Sequence, residues 1–203
     1  MLNSEFLQKI EKIYQEFKQH DASQSDRITR YRNIEPESAE ILNILIRTKQ
    51  AKNILEIGTS TGYSTLWLAN AAKAIGGHVT TLEIDEARTN IAKANATSFE
   101  LYDWIDFKVG DAKAYLNQCK EEFDFILVDA ERDAYCDYWS DLQRLLKAKD
   151  GLMVVDNVIS HASEVERFIE IVKQNSSFIS TILNVGAGLF MVTRIDEQQE
   201  SHQ

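Results

Sequence analysis

The chain has 203 residues, 44% hydrophobic and 27% charged, which suits one domain whose core needs neither disulfides nor a metal. Its 22 Lys and Arg against 32 Asp and Glu leave a formal net charge of −10, with a pI near 4.9. That balance argues against a nucleic-acid coat or a polybasic membrane-surface protein, though it leaves room for a local basic site. No apolar run approaches the roughly 20 residues of a bilayer span. The first residues, MLNSEFLQKIEKIYQEF, lack a signal peptide's apolar region and cleavage site. Two cysteines, Cys119 and Cys136, are too few for a disulfide framework and read as reduced thiols. A cytoplasmic globular domain without a membrane partner is expected.

Phe6, Leu7, Ile10, Ile13, Tyr14 and Phe17 recur at helical spacing, with Lys and Glu on the opposite face. Residues 20–33 are polar, carry Arg27, Arg30 and Arg32, and read as a loop. Pro36 suits the first turn of a second helix through Ile41, Leu42, Leu45 and Ile46 to about Lys49. Residues 1–50 thus read as an N-terminal helical extension.

From Lys52 the texture changes. Short β-rich runs at 53–57, 78–84, 104–109, 123–129 and 151–156 alternate with helical stretches such as TLWLANAAKAI and YWSDLQRLLKA. The alternation implies right-handed crossovers and a parallel sheet with helices on both faces. A helix near Glu164–Gln174 follows, then runs at 178–185 and 188–195 separated only by Gly186 and Ala187. So short a connection forces an antiparallel pair. The expected fold is α/β, a mostly parallel sheet with a C-terminal antiparallel hairpin over residues 51–197, and a disordered tail at 198–203.

In an open α/β sheet, ligands bind beyond the carboxyl ends of the strands. Here the five parallel runs are followed by Glu56, Glu83 with Asp85, Asp111, Asp129, and Asp156 with Asn157. Any one of these can be a turn or a helix cap. Five at one edge favour a polar site for hydroxyls, amines or a cation. The segment Glu56-Ile57-Gly58-Thr59-Ser60-Thr61-Gly62-Tyr63-Ser64 lies between a strand and a helix. Gly58 permits a tight turn, and Gly62 sits where free helix N–H groups favour a carboxylate. The spacing is G-x-x-x-G after an acid, with no Walker lysine, and it suits a nucleoside bearing a carboxylate and an ammonium better than a pyrophosphate. Glu83, 25 residues after Gly58, stands about where an acid accepts two ribose hydroxyls.

The segments ILEIGTSTGYSTLWLA, TTLEID, GDA, FDFILVDAERDAY, GLMVVDNV and VGAGLFMV, in that order, closely resemble the S-adenosylmethionine-dependent O-methyltransferases of the caffeoyl-CoA and catechol type. The likeness covers roughly residues 30–195, and RNIEPESAEILNIL resembles the segment before that family's first strand. The resemblance implies the Rossmann-like class I methyltransferase fold, with seven strands and the last one antiparallel. It implies that Glu56, Gly58, Thr59 and Gly62 contact the methionine part of S-adenosylmethionine, with Tyr63 and Ser64 at its carboxylate. Glu83 would hold the ribose, and Asp111 and Ala112 would lie near the adenine. Asp129 would border the cofactor as well. Asp129, Asp156 and Asn157 match the family's ligands for a divalent metal, usually magnesium, and two carboxylates and an amide are suitably hard oxygen donors. Such a metal would bind two adjacent acceptor oxygens and acidify the hydroxyl to be methylated. The strand-end turn with a following cap remains the alternative for Asp156-Asn157.

Departures from the family narrow the chemistry. Metal-dependent members usually carry lysine where Arg132 stands, thought to help deprotonate the acceptor. Arginine stays protonated, so Arg132 is expected, with Asp129, to act on the acceptor as an oxyanion stabiliser, or else to form a surface ion pair with Glu131 or Asp133. The stretch VISHASEVERF is shorter than the plant-type insertion, which implies a more open site. His161 in it is either a base or a solvated side chain. Arg27, Arg30 and Arg32 could meet an anionic acceptor (a carboxylate, a CoA phosphate or a tRNA) or simply be solvated. Tyr135, Tyr138 and Trp139 are expected to pack rather than to stack on ligand. The expected activity is methyl transfer to a small catechol-like or vicinal-diol acceptor, in a homodimer. The alternatives are a tRNA hydroxyuridine methyltransferase, a cofactor-binding protein without catalysis, and an NAD-dependent oxidoreductase.

Overall fold

The Asn3 side chain accepts the Phe6 N–H at 2.8 Å and so starts helix α1 (Ser4–Ser23). The computed structural model describes residues 2–26 and 29–195, so Arg27 and the expected tail at 198–203 lie outside the described residues. Phe6, Ile10, Ile13 and Phe17 form the buried stripe of α1. The helix runs three residues past His20, where a loop was expected. Contacts distant in sequence hold it. The His20 ring stacks on Tyr31 at 3.8 Å between centroids, and the Asp21 carboxylate accepts the Tyr31 and Arg32 N–H groups at 2.7 and 2.9 Å. Helix α2 (Pro36–Lys49) starts on Pro36, as its fixed φ favours.

The sheet elements follow as β1 (Asn53–Ile57), α3 (Tyr63–Ile75), β2 (His78–Glu83), α4 (Glu86–Ser98), β3 (Ile105–Val109), α5 (Ala112–Gln118), β4 (Phe125–Val128), α6 (Tyr135–Leu145), β5 (Leu152–Val155), α7 (Ala162–Gln174), β6 (Phe178–Leu183) and β7 (Leu189–Arg194). Trp104 closes a 3-10 turn, its N–H donating to the Leu101 carbonyl, and β3 begins one residue later than expected. The strand order is β3-β2-β1-β4-β5-β7-β6. The first five strands in that order are parallel, and β7 is antiparallel to both of its neighbours. This is the seven-stranded, mostly parallel sheet with a terminal antiparallel hairpin that the sequence predicts.

Alternation along the strands divides the core. Phe125 and Leu127 of β4 join the layer of α1, α2 and α3, and Ile126 and Val128 join the layer of α6 and α7. Burying each such side chain stabilises the fold by about 1.5–3 kcal/mol. Trp139 and Tyr135 pack edge-on to Phe168 of α7, in keeping with the packing role expected of them. Among the described residues no helix is long and apolar enough to cross a membrane.

Candidate active site

Beyond the carboxyl ends of β1, β2, β3 and β4 lies a cavity of about 530 Å³. The strand order reverses between β1 and β4, so their loops diverge and leave a crevice there. Gly58, Ser64, Glu83, Asp111, Ala112, Asp129, Arg132 and Asn157, all singled out from the sequence, line this one cavity.

The loop after β1 forms the floor. Gly58 has φ +104°, and its N–H donates to the Leu82 carbonyl at 3.0 Å. A Cβ at Gly58 would lie 1.9 Å from the Asp129 carbonyl oxygen, so the two strand ends approach as closely as bare backbone allows. Ser60 takes the left-handed conformation, φ 48°, and donates its N–H to Glu83 at 2.7 Å. The other Glu83 oxygen accepts the Asp85 N–H at 3.0 Å. Gly62 (φ +90°) precedes α3, whose first turn has no side-chain cap. Such a turn presents free N–H groups suited to a carboxylate.

A second group of carboxylates gathers near β1, β4 and β5. Asn157, at φ 67°, donates its amide N–H to Asp129 at 2.9 Å and to Asp156 at 3.1 Å. The other Asp156 carboxylate oxygen is buried with no hydrogen-bond partner among the described residues. Burial first, then the charges of Asp156 and Glu56, hold the Asp129 carboxyl well above the ordinary range, while Arg32 and Arg132 pull it down. Burial pushes Asp156 up to about 6, and Glu35 adds to this against the Asn157 N–H. Two neighbouring carboxylates with an orphaned oxygen and mutual repulsion suit a divalent cation of the magnesium type, but Asn157 presents its amide N–H to them, and among the described residues no group of three or more Asp, Glu, His or Cys side chains is arranged to hold a metal.

Glu56 stands behind this group. It is fully buried and accepts the Thr65 and Thr81 hydroxyls at 2.5 and 2.6 Å, while its other oxygen has no partner among the described residues. Burial raises its pKa to about 7 despite those bonds. A raised carboxyl pKa means that the folded state holds a proton the unfolded chain has released, so stability falls as pH rises between about 4.5 and 7. Glu56→Gln should remove about 3 kcal/mol of that fall, at roughly 1.4 kcal/mol per pH unit. Urea denaturation of both proteins at pH 5 and pH 8 checks this, and parallel pH profiles would contradict it.

Residues 30–34 cross the cavity mouth as a strap. The Ser60 hydroxyl donates to the Tyr31 carbonyl at 2.7 Å, Asn33 bonds Thr61 at 3.1 Å, and Arg88 donates to the Arg30 carbonyl at 3.1 Å. Arg32 pairs with Glu131 at 2.6 Å. Arg132 is only 6% exposed and donates from Nε to Glu164 of α7 at 2.9 Å. In place of the ion pair with Glu131 or Asp133 that was an alternative for Arg132, the buried guanidinium pairs with the exposed Glu164 of another helix. His161 also lines the cavity, with Nδ1 2.8 Å from the Ser160 hydroxyl.

Tyr138, expected only to pack, also lines the cavity, whereas the remaining residues singled out from the sequence do not form its wall. Tyr63 is 1% exposed, and its ring lies 5.1 Å from that of Tyr14. A Cβ at Gly62 would touch Ala92 of α4, so this glycine also lets two helices pack. Thr59 bonds Thr81 through its hydroxyl, and Glu56 and Asp156 lie just behind the wall. Sequence reasoning missed Ser60, Tyr31 and Arg88. Ser60 carried a usable signal as the central residue of G-T-S-T-G, whereas Tyr31 and Arg88 reach the site through tertiary contacts alone.

Residues 8–195 match the family model described as O-methyltransferase. A catechol O-methyltransferase from Niastella koreensis is 37% identical over 131 residues, covering 63% of this chain and 58% of that protein. Caffeoyl-CoA O-methyltransferase 1 from Eucalyptus globulus is 34% identical over 134 residues, covering 64% and 54%. The chain thus spans little more than half the length of these curated relatives. Among solved structures, an O-methyltransferase from Bacillus cereus in complex with SAH superposes with a TM-score of 0.77 at 26% identity, covering 96% of this chain and 93% of that one. The O-methyltransferase TomG from Streptomyces achromogenes, in complex with SAM, gives 0.75 at 25% identity, covering 96% and 91%.

Proposed function

Because the chain belongs to the O-methyltransferase family, we propose that it moves the methyl group of S-adenosylmethionine to a hydroxyl of a small catechol-like or vicinal-diol acceptor, assisted by a divalent metal of the magnesium type. The observation that carries this reading is the two-part cavity, with Gly58 and Glu83 at one part and Asp129 and Asn157, backed by Asp156, at the other. Family membership gives no support to the oxidoreductase alternative.

In this reading Glu83 accepts the ribose hydroxyls while its bonds to the Ser60 and Asp85 N–H groups keep it in place. The first turn of α3 receives the amino-acid carboxylate of the cofactor, and Asp111 and Ala112 border the adenine. Asp129, Asp156 and Asn157 would hold the metal, which when bound supplies a Lewis acid that lowers the pKa of the acceptor hydroxyl and orients it. Arg132 stays charged and takes no proton, so it stabilises the negative oxygen that attacks the sulfonium methyl. The ion pair with Glu164 keeps the guanidinium in register for that role. Positioning and electrostatics supply most of the rate in such an in-line transfer.

The test is mass-spectrometric detection of methylated product over a panel of catechols with S-adenosylmethionine. Turnover should drop at least ten-fold, at about 1.4 kcal/mol per decade, in EDTA and return with magnesium. Turnover insensitive to EDTA would remove the metal from the mechanism, and no product across the panel would count against the acceptor class.

A further inference from the structure

The two faces of the sheet differ at its β5-β7-β6 end. On one face α7 covers the strands out to the edge. Its Phe168 packs edge-on to Phe190 of β7, and even Phe178 on the edge strand β6 is only 7% exposed. On the other face burial fades toward the edge. Val154 of β5 is fully buried, its neighbour Met191 of β7 is half-buried, and the next residue in that row, Thr181 of β6, is exposed. The adjacent row runs from half-buried Leu152 through Thr193 to Ile179, which is 60% exposed. Alternation puts Ile179 on the same face as Thr181 and the half-buried Leu183. Helix α2 borders this bare face, for the Ser38 hydroxyl donates to the Val185 carbonyl at the β6–β7 turn at 3.5 Å. Asn43 turns the helix toward α3, donating to the Trp67 carbonyl at 2.8 Å. Ile41 and Leu45, two residues to either side and so nearly opposite on the helix, are only half-buried, and Ile44 between them is 58% exposed.

We propose that a second copy of this chain docks on the bare β6–β7 face and the adjoining flank of α2, about a two-fold axis. Charge selects that occupant. The twenty residues from Gln174 to Thr193 contain no charged side chain, the longest such run in a chain that is 27% charged. Two molecules of net charge −10 repel, so they meet most favourably through surface that carries no charge. A two-fold contact sets a patch against itself, which an apolar face tolerates and a face of one charge sign does not. The opposite end of the sheet is built differently. There the edge strand β3 carries Asp106 and Lys108, paired at 2.7 Å, the kind of charge that keeps an edge from recruiting other chains. The proposal is independent of the transferase reading.

The experiment is sedimentation velocity of the full chain over about 1–100 µM, the range in which an interface of modest size assembles. The wild type should convert to a species of twice the 23.2 kDa monomer mass. Salt at about 500 mM should leave that dimer intact or tighten it, because it screens the repulsion between acidic monomers. Ile179→Lys and Ile44→Lys should each weaken association at least about ten-fold, since each sets a charge into the contact. Both positions are exposed in the single chain, so thermal melts of the two variants at low concentration should match the wild type. Tyr102→Lys, exposed beside β3, is the control and should change the dimer by no more than about two-fold. A chain that stays monomeric throughout would overturn the inference and leave the face to the residues after 195 or to a different protein. A dimer that both isoleucine variants leave unchanged, or one that salt dissolves, would overturn it as well.

Discussion

Gly58→Ala should lower the melting temperature by about 10 °C or more, or leave no folded protein. Two costs combine at this position. The φ of +104° is strained for any residue with a Cβ, at about 1–3 kcal/mol. The Cβ would also lie 1.9 Å from the Asp129 carbonyl oxygen and 2.6 Å from its carbon, both backbone atoms that no rotamer change can move. Relief requires the ends of β1 and β4 to part, although the Asp129 N–H is bonded to the Ile57 carbonyl at 2.8 Å. A total above about 4 kcal/mol is reasonable, and for a chain of this size each kcal/mol moves the melting temperature by roughly 2–4 °C. Gly76→Ala is the control. Gly76 has φ +70° but nothing within 4 Å of its added Cβ, so only the backbone cost of about 1 kcal/mol applies. Circular dichroism melts of the two variants separate close approach from backbone strain. Equal losses would mean that the contact between β1 and β4 contributes nothing.

Glu83→Ala should weaken SAH binding about a thousand-fold in calorimetric titration. The Glu83 carboxylate lies at the end of β2, 8% exposed, and organises the glycine loop through Ser60 and the start of α4 through Asp85. On the proposed reading it also meets two ribose hydroxyls. Hydrogen bonds to a charged group contribute about 1.5–3 kcal/mol each, so losing two ligand bonds together with the loop anchor costs on the order of 4 kcal/mol. Glu83→Gln keeps an acceptor and the shape of the side chain, and should fall between the wild type and the alanine variant. An alanine variant binding SAH within three-fold of the wild type would remove Glu83 from the cofactor site.

The chain's local pattern determines much of this molecule. The period-2 runs place Phe125 and Leu127 on one layer and Ile126 and Val128 on the other, and the connection from Leu183 to Leu189, longer than the two residues Gly186 and Ala187 expected from the sequence, is still too short for anything but an antiparallel pairing. The acids beyond the strand ends could be located because strand direction alone sends them to one edge. Depth was not legible. Glu56 and Glu83 both follow strand signals, yet one is sealed behind Thr65 and Thr81 while the other faces the cavity. That difference lies in the packing of α3 against β1 and β2, which no single segment encodes. The end of α1 was hidden for the same reason, since Asp21 is held by N–H groups ten and eleven residues further on. Arg132 offered two readings from its neighbours, and its partner proved to lie 32 residues away.

The place of β7 has a consequence for how the chain is made. β6 leaves the ribosome before β7, but in the sheet β7 lies between β6 and the rest. Among the described residues β6 pairs only with β7, through six residue pairs, and β7 reaches β5 through four more. A nascent chain that has emerged only as far as Leu183 therefore holds one strand with nowhere to attach. The exposed flank of β5 stays open until the residues of β7 arrive and fill the gap from both sides at once. Stalled translation or a stop codon between residues 183 and 189 would release a product with two unpaired strand edges, the kind of surface that recruits other chains.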